Sequence, residues 1–334
     1  MIRWFNLLAV VLCSACGSTL ITSSVACAEE TAQKIARLGF VGPISPSTEA
    51  RAYGAFWERL RELGWIEGHN LLVERRWAEG HIDRLPALMS DVVDRKVDVL
   101  VTYGTPSAVA AKEATTTIPV VVASMGDPVA SGVAASLARP GGNITGLSLG
   151  WTEGVPGKLL ELLQELVPRL TSVAVIGNFD SALVRLLRQP LDAAAAARGL
   201  KLRYFDARER EALEPAFKQA EKNQARAAIL LPDPLTMQHR VEVASLAAKH
   251  QIPTIYGLVE FAHAGGLIAY APDQTVMFRR AADYVDRILK GAKAADLPIE
   301  QPTQFTLAVN LKSARALRLA IPQALLLRAD EVIR

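Results

Sequence analysis

Three stretches place a polar side chain directly before a proline near the end of an apolar run: Thr105-Pro106, Asp127-Pro128 and Asp233-Pro234. Asp or Thr followed by Pro reads as a helix N-cap and the first helical residue, because proline has no N–H to lose in the first turn and its φ suits a helix. Each turn then sets an oxygen-bearing side chain beside the free N–H groups of a helix start. In open α/β folds that is the carboxyl edge of the sheet, where ligands bind. A carboxylate there can hold an ammonium, while hydroxyls and helix N–H groups can hold a carboxylate. Asp127 and Asp233 are the candidates for the first task, and Thr105, Ser107 and Ser124 for the second. The same side chains also serve as ordinary caps, worth about 1 kcal/mol each.

Further candidates sit on the same rims. Ser45 and Ser47, with Thr48, follow the first apolar run, Asn178, Asp180 and Ser181 follow the first strand of the second lobe, and Tyr256 and Glu260 follow the run at 252–255. Tyr270 lies where the chain is expected to cross between lobes. Other chemistries lack their residues. No Gly-x-Gly-x-x-Gly, Gly-x4-Gly-Lys-Ser/Thr or His-Glu-x-x-His occurs, and the histidines at 69, 81, 239, 250 and 263 have no metal spacing. No cofactor, no metal and no catalytic residue is expected, and ligand capture fits better than turnover.

The elements that would position these residues alternate in type. Apolar, β-branched runs at 35–41, 70–77, 97–103, 118–124 and 144–149 are separated by helical patterns. A second series follows at 172–178, 201–206, 227–231, 252–256 and 267–270. Such alternation is the signature of βαβ units, and near-continuous apolar strands fit sheets covered on both faces. Between 48 and 63, Ala52, Ala55, Phe56, Leu60 and Leu63 share one helical face. A short helix is expected from Pro128 to the break at Arg139-Pro140-Gly141. The fold class is therefore α/β, with two lobes that are each a parallel sheet flanked by helices. Crossovers are expected near 146–150, 265–272 and 301–310, with a strand at 304–310 and a helix at 311–319. The resulting boundaries are 1–28 for a leader, 29–148 with 268–302 for the first lobe, and 149–267 with 303–334 for the second.

Residues 1–28 read as a signal peptide. Arg3 precedes an apolar core, and Ala26-Cys27-Ala28 matches a small-x-small cleavage site before Glu29-Glu30. All three cysteines, at 13, 16 and 27, fall inside that segment, so residues 29–334 carry no thiol. Lipid attachment at Cys16 or Cys27 is the rival expectation, against which stand Cys13 and Ser24 three positions before them. With 37 Lys and Arg against 34 Asp and Glu, the near-balanced chain has no pull toward nucleic acid.

Several blocks together resemble one family. They are Leu63-Gly-Trp-Ile-Glu-Gly-His-Asn70, Arg76-Trp-Ala-Glu-Gly80, Thr105-Pro-Ser-Ala108, Gly126-Asp-Pro-Val129, Arg139-Pro-Gly-Gly-Asn-Ile-Thr-Gly146 and Asn310-Leu-Lys-Ser-Ala-Arg-Ala-Leu317. In these the chain resembles the ABC-transporter substrate-binding proteins of tryptophan- and tyrosine-type uptake systems. The resemblance implies a type I periplasmic-binding-protein fold with three interdomain crossovers and a monomer in the periplasm. It also implies capture of a small solute, such as an aromatic or apolar amino acid, for an ABC permease in the inner membrane. The chain departs from the family at Asn178-Phe179-Asp180-Ser181, where relatives carry Asn-Pro, and at Leu235-Thr236-Met237. Both departures bear on which solute is held. A ligand-sensing receptor and a periplasmic enzyme on the same fold remain as alternative functions.

Overall fold

The computed structural model describes residues 35–334 apart from 49, 152 and 153. The expected leader and its cysteines lie outside the described residues. Ile35–Arg334 forms one compact unit.

Its first sheet holds β1 (Ala36–Gly42), β2 (Leu71–Trp77), β3 (Val99–Thr102), β4 (Val120–Met125) and β5 (Ile144–Ser148), in the order β2-β1-β3-β4-β5. All of its pairings are parallel. Alternate residues enter two separate cores, as strand geometry requires. Leu38, Phe40, Val101 and Val121 enter one, while Val41, Leu100, Val120 and Val122 enter the other. Helices α1 (Ala50–Glu62) and α10 (Gln274–Leu289) cover the first face; α2 (Leu85–Asp94) and α3 (Thr105–Ala114) cover the second. Phe40 packs edge-on against Tyr53 and Phe56, with ring centroids 5.6 Å away in both cases, so its loss would cost about 3–5 kcal/mol. Gly146 in β5 has φ +133°, and a Cβ there would lie 2.1 Å from the Val122 carbonyl oxygen. Only glycine allows β5 to approach β4 where their register shifts.

The second sheet holds β6 (Ser172–Gly177), β7 (Lys201–Asp206), β8 (Ala227–Leu230), β9 (Thr254–Tyr256), β10 (Ile268–Ala271), β11 (Thr306–Asn310) and β12 (Glu331–Ile333). Their order is β12-β11-β10-β9-β8-β6-β7, and only β10 with β11 is antiparallel. The helices of this half are α4 (Val155–Leu166), α5 (Ala182–Ala196), α6 (Arg210–Lys222), α7 (Pro234–Gln238), α8 (Arg240–Lys249), α9 (Glu260–His263), α11 (Leu311–Ala316) and α12 (Gln323–Arg328).

The chain passes between the sheets three times: after β5, between β10 and α10, and between Glu300 and β11. The second passage differs from the expected boundary. Residues 268–271, expected in the first lobe, form β10, which pairs with β9 and β11 in the second sheet. The Pro272 that follows β10 ends the strand, and α10 then packs on α1 and β4. Glu300 returns to the first sheet's edge, where its carbonyl accepts from the Ser148 N–H at 2.8 Å.

The expected helix beginning at Pro128 is absent: residues 127–143 form turns. Asp127 Oδ1 accepts from both the Val129 and Ala130 amides at 2.9 Å, and Gly132 at φ +72° turns the chain out of any helical path. Asp127 therefore caps a turn and not a helix.

Candidate functional site

A cleft between the lobes encloses about 540 Å³ of space free of protein atoms, part of it open to solvent. The carboxyl ends of both sheets meet there, as expected for this layout. From the first lobe come Ile44 after β1, Tyr103 to Pro106 after β3, Ser124 and Gly126 at the end of β4, Leu149 after β5, and Gln274 opening α10. The second lobe contributes Ser181 and Leu183 at the start of α5, Pro232 to Pro234 and Met237 around α7, and Leu258 after β9. The walls are mostly apolar, and Asp233 is the only carboxylate among the described lining residues.

Asp233 is 4% exposed and caps α7, with Oδ1 accepting from the Leu235 amide at 2.9 Å. Its Oδ2 is buried without a well-formed hydrogen bond. Burial pushes the carboxyl up to about 6; the Leu235 amide and the nearby Ser181 hydroxyl oppose this only in part. A half-satisfied carboxylate in a dry wall is costly unless a donor or a cation completes it.

Thr105 lines the cleft but is not an N-cap. Gly104 holds that position, and the Thr105 hydroxyl accepts from the Gly126 amide at 3.0 Å, tying the start of α3 to the end of β4. Ser124 and Gln274 are each 4% exposed and line the cleft, and neither side chain bonds another described residue. Ser107, in the first turn of α3, is fully buried behind the lining with an unpartnered hydroxyl.

The other expected positions lie elsewhere. Ser45, next to the lining residue Ile44, is bonded to Gln238 of the second lobe. Ser47 and Glu260 line a second cavity with Arg51, Arg240 and Asp273, where burial raises the Glu260 carboxyl above its usual range. Asp127 is outside the described cleft lining, as are Asn178 and Asp180. Asn178 accepts from the Asp180 amide at 3.0 Å, and exposed Asp180 pairs with Arg208 at 2.8 Å. Tyr256 is fully buried against Phe261 with its hydroxyl unpartnered, and Tyr270, in β10, stacks on Phe305. Tyr103, Gln274 and the apolar walls were not singled out from sequence. Nothing in a lone Leu or Gln marks it as cleft-lining; only their places just after predicted strands or crossovers could have.

A family model described as "ABC transporter substrate binding protein" matches residues 38–333. The chain belongs to that family. It is the solute-binding component of an ABC transport system, and the family is typically extracytoplasmic. A "Tyrosine-binding protein" of Clostridioides difficile (strain R20291) is 26% identical over 276 residues, covering 80% of this chain and 76% of that protein. The crystal structure of a conserved domain protein from Vibrio cholerae O1 biovar eltor superposes with TM-score 0.84 at 26% identity, covering 90% of this chain and 100% of the other. An ABC domain in complex with L-Trp from Streptococcus pneumonia superposes with TM-score 0.82 at 22% identity, covering 89% and 99%. Among the described residues of this substrate-binding protein, no helix is long and apolar enough to cross a membrane.

Proposed function

We propose that this substrate-binding protein captures a free amino acid with an apolar or aromatic side chain and presents it to an ABC permease. The observation that carries this reading is the buried Asp233, with one carboxylate oxygen unmet in an otherwise apolar wall. An α-ammonium supplies both the missing donor and the compensating charge. The Ser181 hydroxyl, which donates toward the carboxylate, keeps lone pairs that can accept from the same ammonium. On the opposite wall, the Ser124 hydroxyl and the first-turn amides of the ten-residue α3 suit the α-carboxylate. Tyr103, Leu149, Leu183, Met237 and Leu258 offer the apolar surface for the side chain. The names of the relatives, tyrosine-binding and L-Trp-bound, agree with this class of ligand. Contacts to both lobes favour the closed arrangement over the open one, which is how a hinged trap works.

The native protein in this reading is a periplasmic monomer that begins at Glu29 after cleavage behind Ala28. Mass spectrometry of protein from its host then finds Glu29 at the N-terminus; a diacylglyceryl-modified cysteine contradicts it. The ligand class is tested by thermal shift, since binding to the native state raises apparent stability. L-tryptophan, L-tyrosine and L-leucine are compared with indole-3-propionate, which keeps a ring and carboxylate but lacks the ammonium. At least one amino acid stabilises the protein and indole-3-propionate does not. Stabilisation by the propionate equal to that by tryptophan removes the ammonium from the account.

A further inference from the structure

Gln238, the last residue of α7 and the neighbour of the lining residue Met237, makes a polar bridge between the lobes beside the cleft. Its Oε1 accepts from the Ser45 backbone N–H at 3.0 Å and from the Thr48 hydroxyl at 3.3 Å, while its Nε2 donates to the Ser45 hydroxyl at 3.0 Å. Three bonds thus join residues 190 or more positions apart in the chain, from the second lobe to the loop after β1 in the first. The Ser45 N–H can only donate, so it fixes which way round the amide lies. Both partners are held in place before they meet. The Thr48 N–H closes a turn onto the Ser45 carbonyl at 3.0 Å, and the Gly80 N–H ties the same loop through the Pro43 carbonyl at 2.8 Å. Gly80, at φ +88°, leaves the room the glutamine stem needs; a Cβ there would lie 3.2 Å from Gln238 Cγ. On the other side, α7 is anchored by Asp233, its own N-cap.

We infer that Gln238 is a closing latch: its side-chain amide holds the two lobes together beside the cleft by reading the backbone and hydroxyls of the Ser45–Thr48 turn. None of the three bonds involves a ligand atom, so the latch adds the same bias toward closure whether the cleft is filled or not. It lies on the same short helix as Asp233, five residues further on. Under the proposed function, a ligand bound at Asp233 leaves only when the lobes part, so latch opening sets the pace of release. The inference deepens that reading and rests on it only for the ligand-release part.

The test uses the chain expressed from Glu29, which is free of cysteine. Spin labels at Val129→Cys and Val241→Cys, both exposed and on opposite lobes, report the interlobe distance by pulsed electron resonance. Gln238→Ala is compared with the parent, without ligand and with L-tryptophan as the probe. With three neutral hydrogen bonds removed, the closed-to-open ratio falls about tenfold in both conditions. Thr48→Val, which removes one bond and keeps the shape, lowers it about two- to threefold. The double variant is no worse than Gln238→Ala, because the two act through one interaction. A parent that never populates the short distance, or a Gln238→Ala distribution matching the parent's in both conditions, overturns the latch. Failure of L-tryptophan and other amino acids to bind, with the ligand-free distributions still differing, would instead overturn the ligand class and leave the latch standing.

Discussion

Two Asp-Pro turns, one in each lobe, use their carboxylates in opposite ways. Asp127, partly exposed, gives Oδ1 to two backbone amides and stands outside the described cleft lining. Asp233 gives one oxygen to a single amide, keeps the other unmatched, and is buried in the cleft wall. The same dipeptide is thus a local fastener in one lobe and a charged anchor in waiting in the other. What separates them is the supply of local donors. After Asp127 the chain folds back in tight turns that bring two N–H groups to the carboxylate, whereas α7 offers only the Leu235 amide to Asp233. A carboxylate that is satisfied locally has little left for a ligand, and one that is not carries a desolvation cost until a ligand meets it.

The largest consequence is a pH dependence. A carboxyl held at about 6 must be ionised to pair with an ammonium. Affinity for an amino acid is therefore level above pH 7 and falls on acidification, by about 30-fold at pH 4.5 for a group with that pKa. Calorimetric titration across this range measures it. Affinity independent of pH from 4.5 to 7.5 would remove Asp233 from the contact.

A smaller effect concerns the protein alone. The folded-state pKa of Asp233 is raised from 3.8 to about 6, so the folded form binds more protons than the unfolded form between those values. Stability from this group is fully present below pH 3.8 and is lost as pH rises through 6. Asp233→Asn, which keeps the cap oxygen, therefore stabilises the ligand-free protein at pH 7.5 by about 1–3 kcal/mol, and the gain shrinks toward zero by about pH 4. Thermal melts at the two pH values show this as a difference of a few degrees that closes on acidification. Asp127 gives the smallest effect and the opposite one. Asp127→Ala loses two amide bonds and about 1 kcal/mol of stability, with ligand affinity unchanged. Denaturant unfolding paired with a binding assay separates the two; weakened binding would place Asp127 at the cleft after all.

Much of the architecture was legible because strand and helix periods differ. The alternation of apolar runs located all five strands of the first sheet, and the glycine and proline punctuation located the crossovers to within a few residues. The errors have physical causes. The run at 267–270 is followed by Pro272 and looked like an entry to the first lobe, but strand membership depends on which edge is free, and β10 fills the edge beside β9. The stretch after Pro128 has helix-forming alanines, yet Gly132 and the doubly bonded Asp127 hold it in turns. Four residues of the candidate site, Thr105, Ser124, Ser181 and Asp233, could be picked out because polar groups at strand ends are few. Leu183, Met237, Leu258 and Gln274 could not, because an apolar residue or a lone amide looks alike in a core and in a cleft. The Asp127–Asp233 distinction was equally hidden, since the number of amides reaching a carboxylate is a property of the folded turn.

That distinction is tested most directly by isothermal titration of the stabilising amino acid into the parent, Asp233→Asn and Asp127→Asn at pH 7.5. Asparagine keeps an oxygen for the backbone amides in both turns and removes only the charge. Losing a charge-assisted contact at Asp233 costs about 1.5–3 kcal/mol, so its Kd rises roughly 10- to 150-fold, while Asp127→Asn binds within about twofold of the parent. Equal affinities for all three proteins, or a larger loss at Asp127 than at Asp233, would contradict the account.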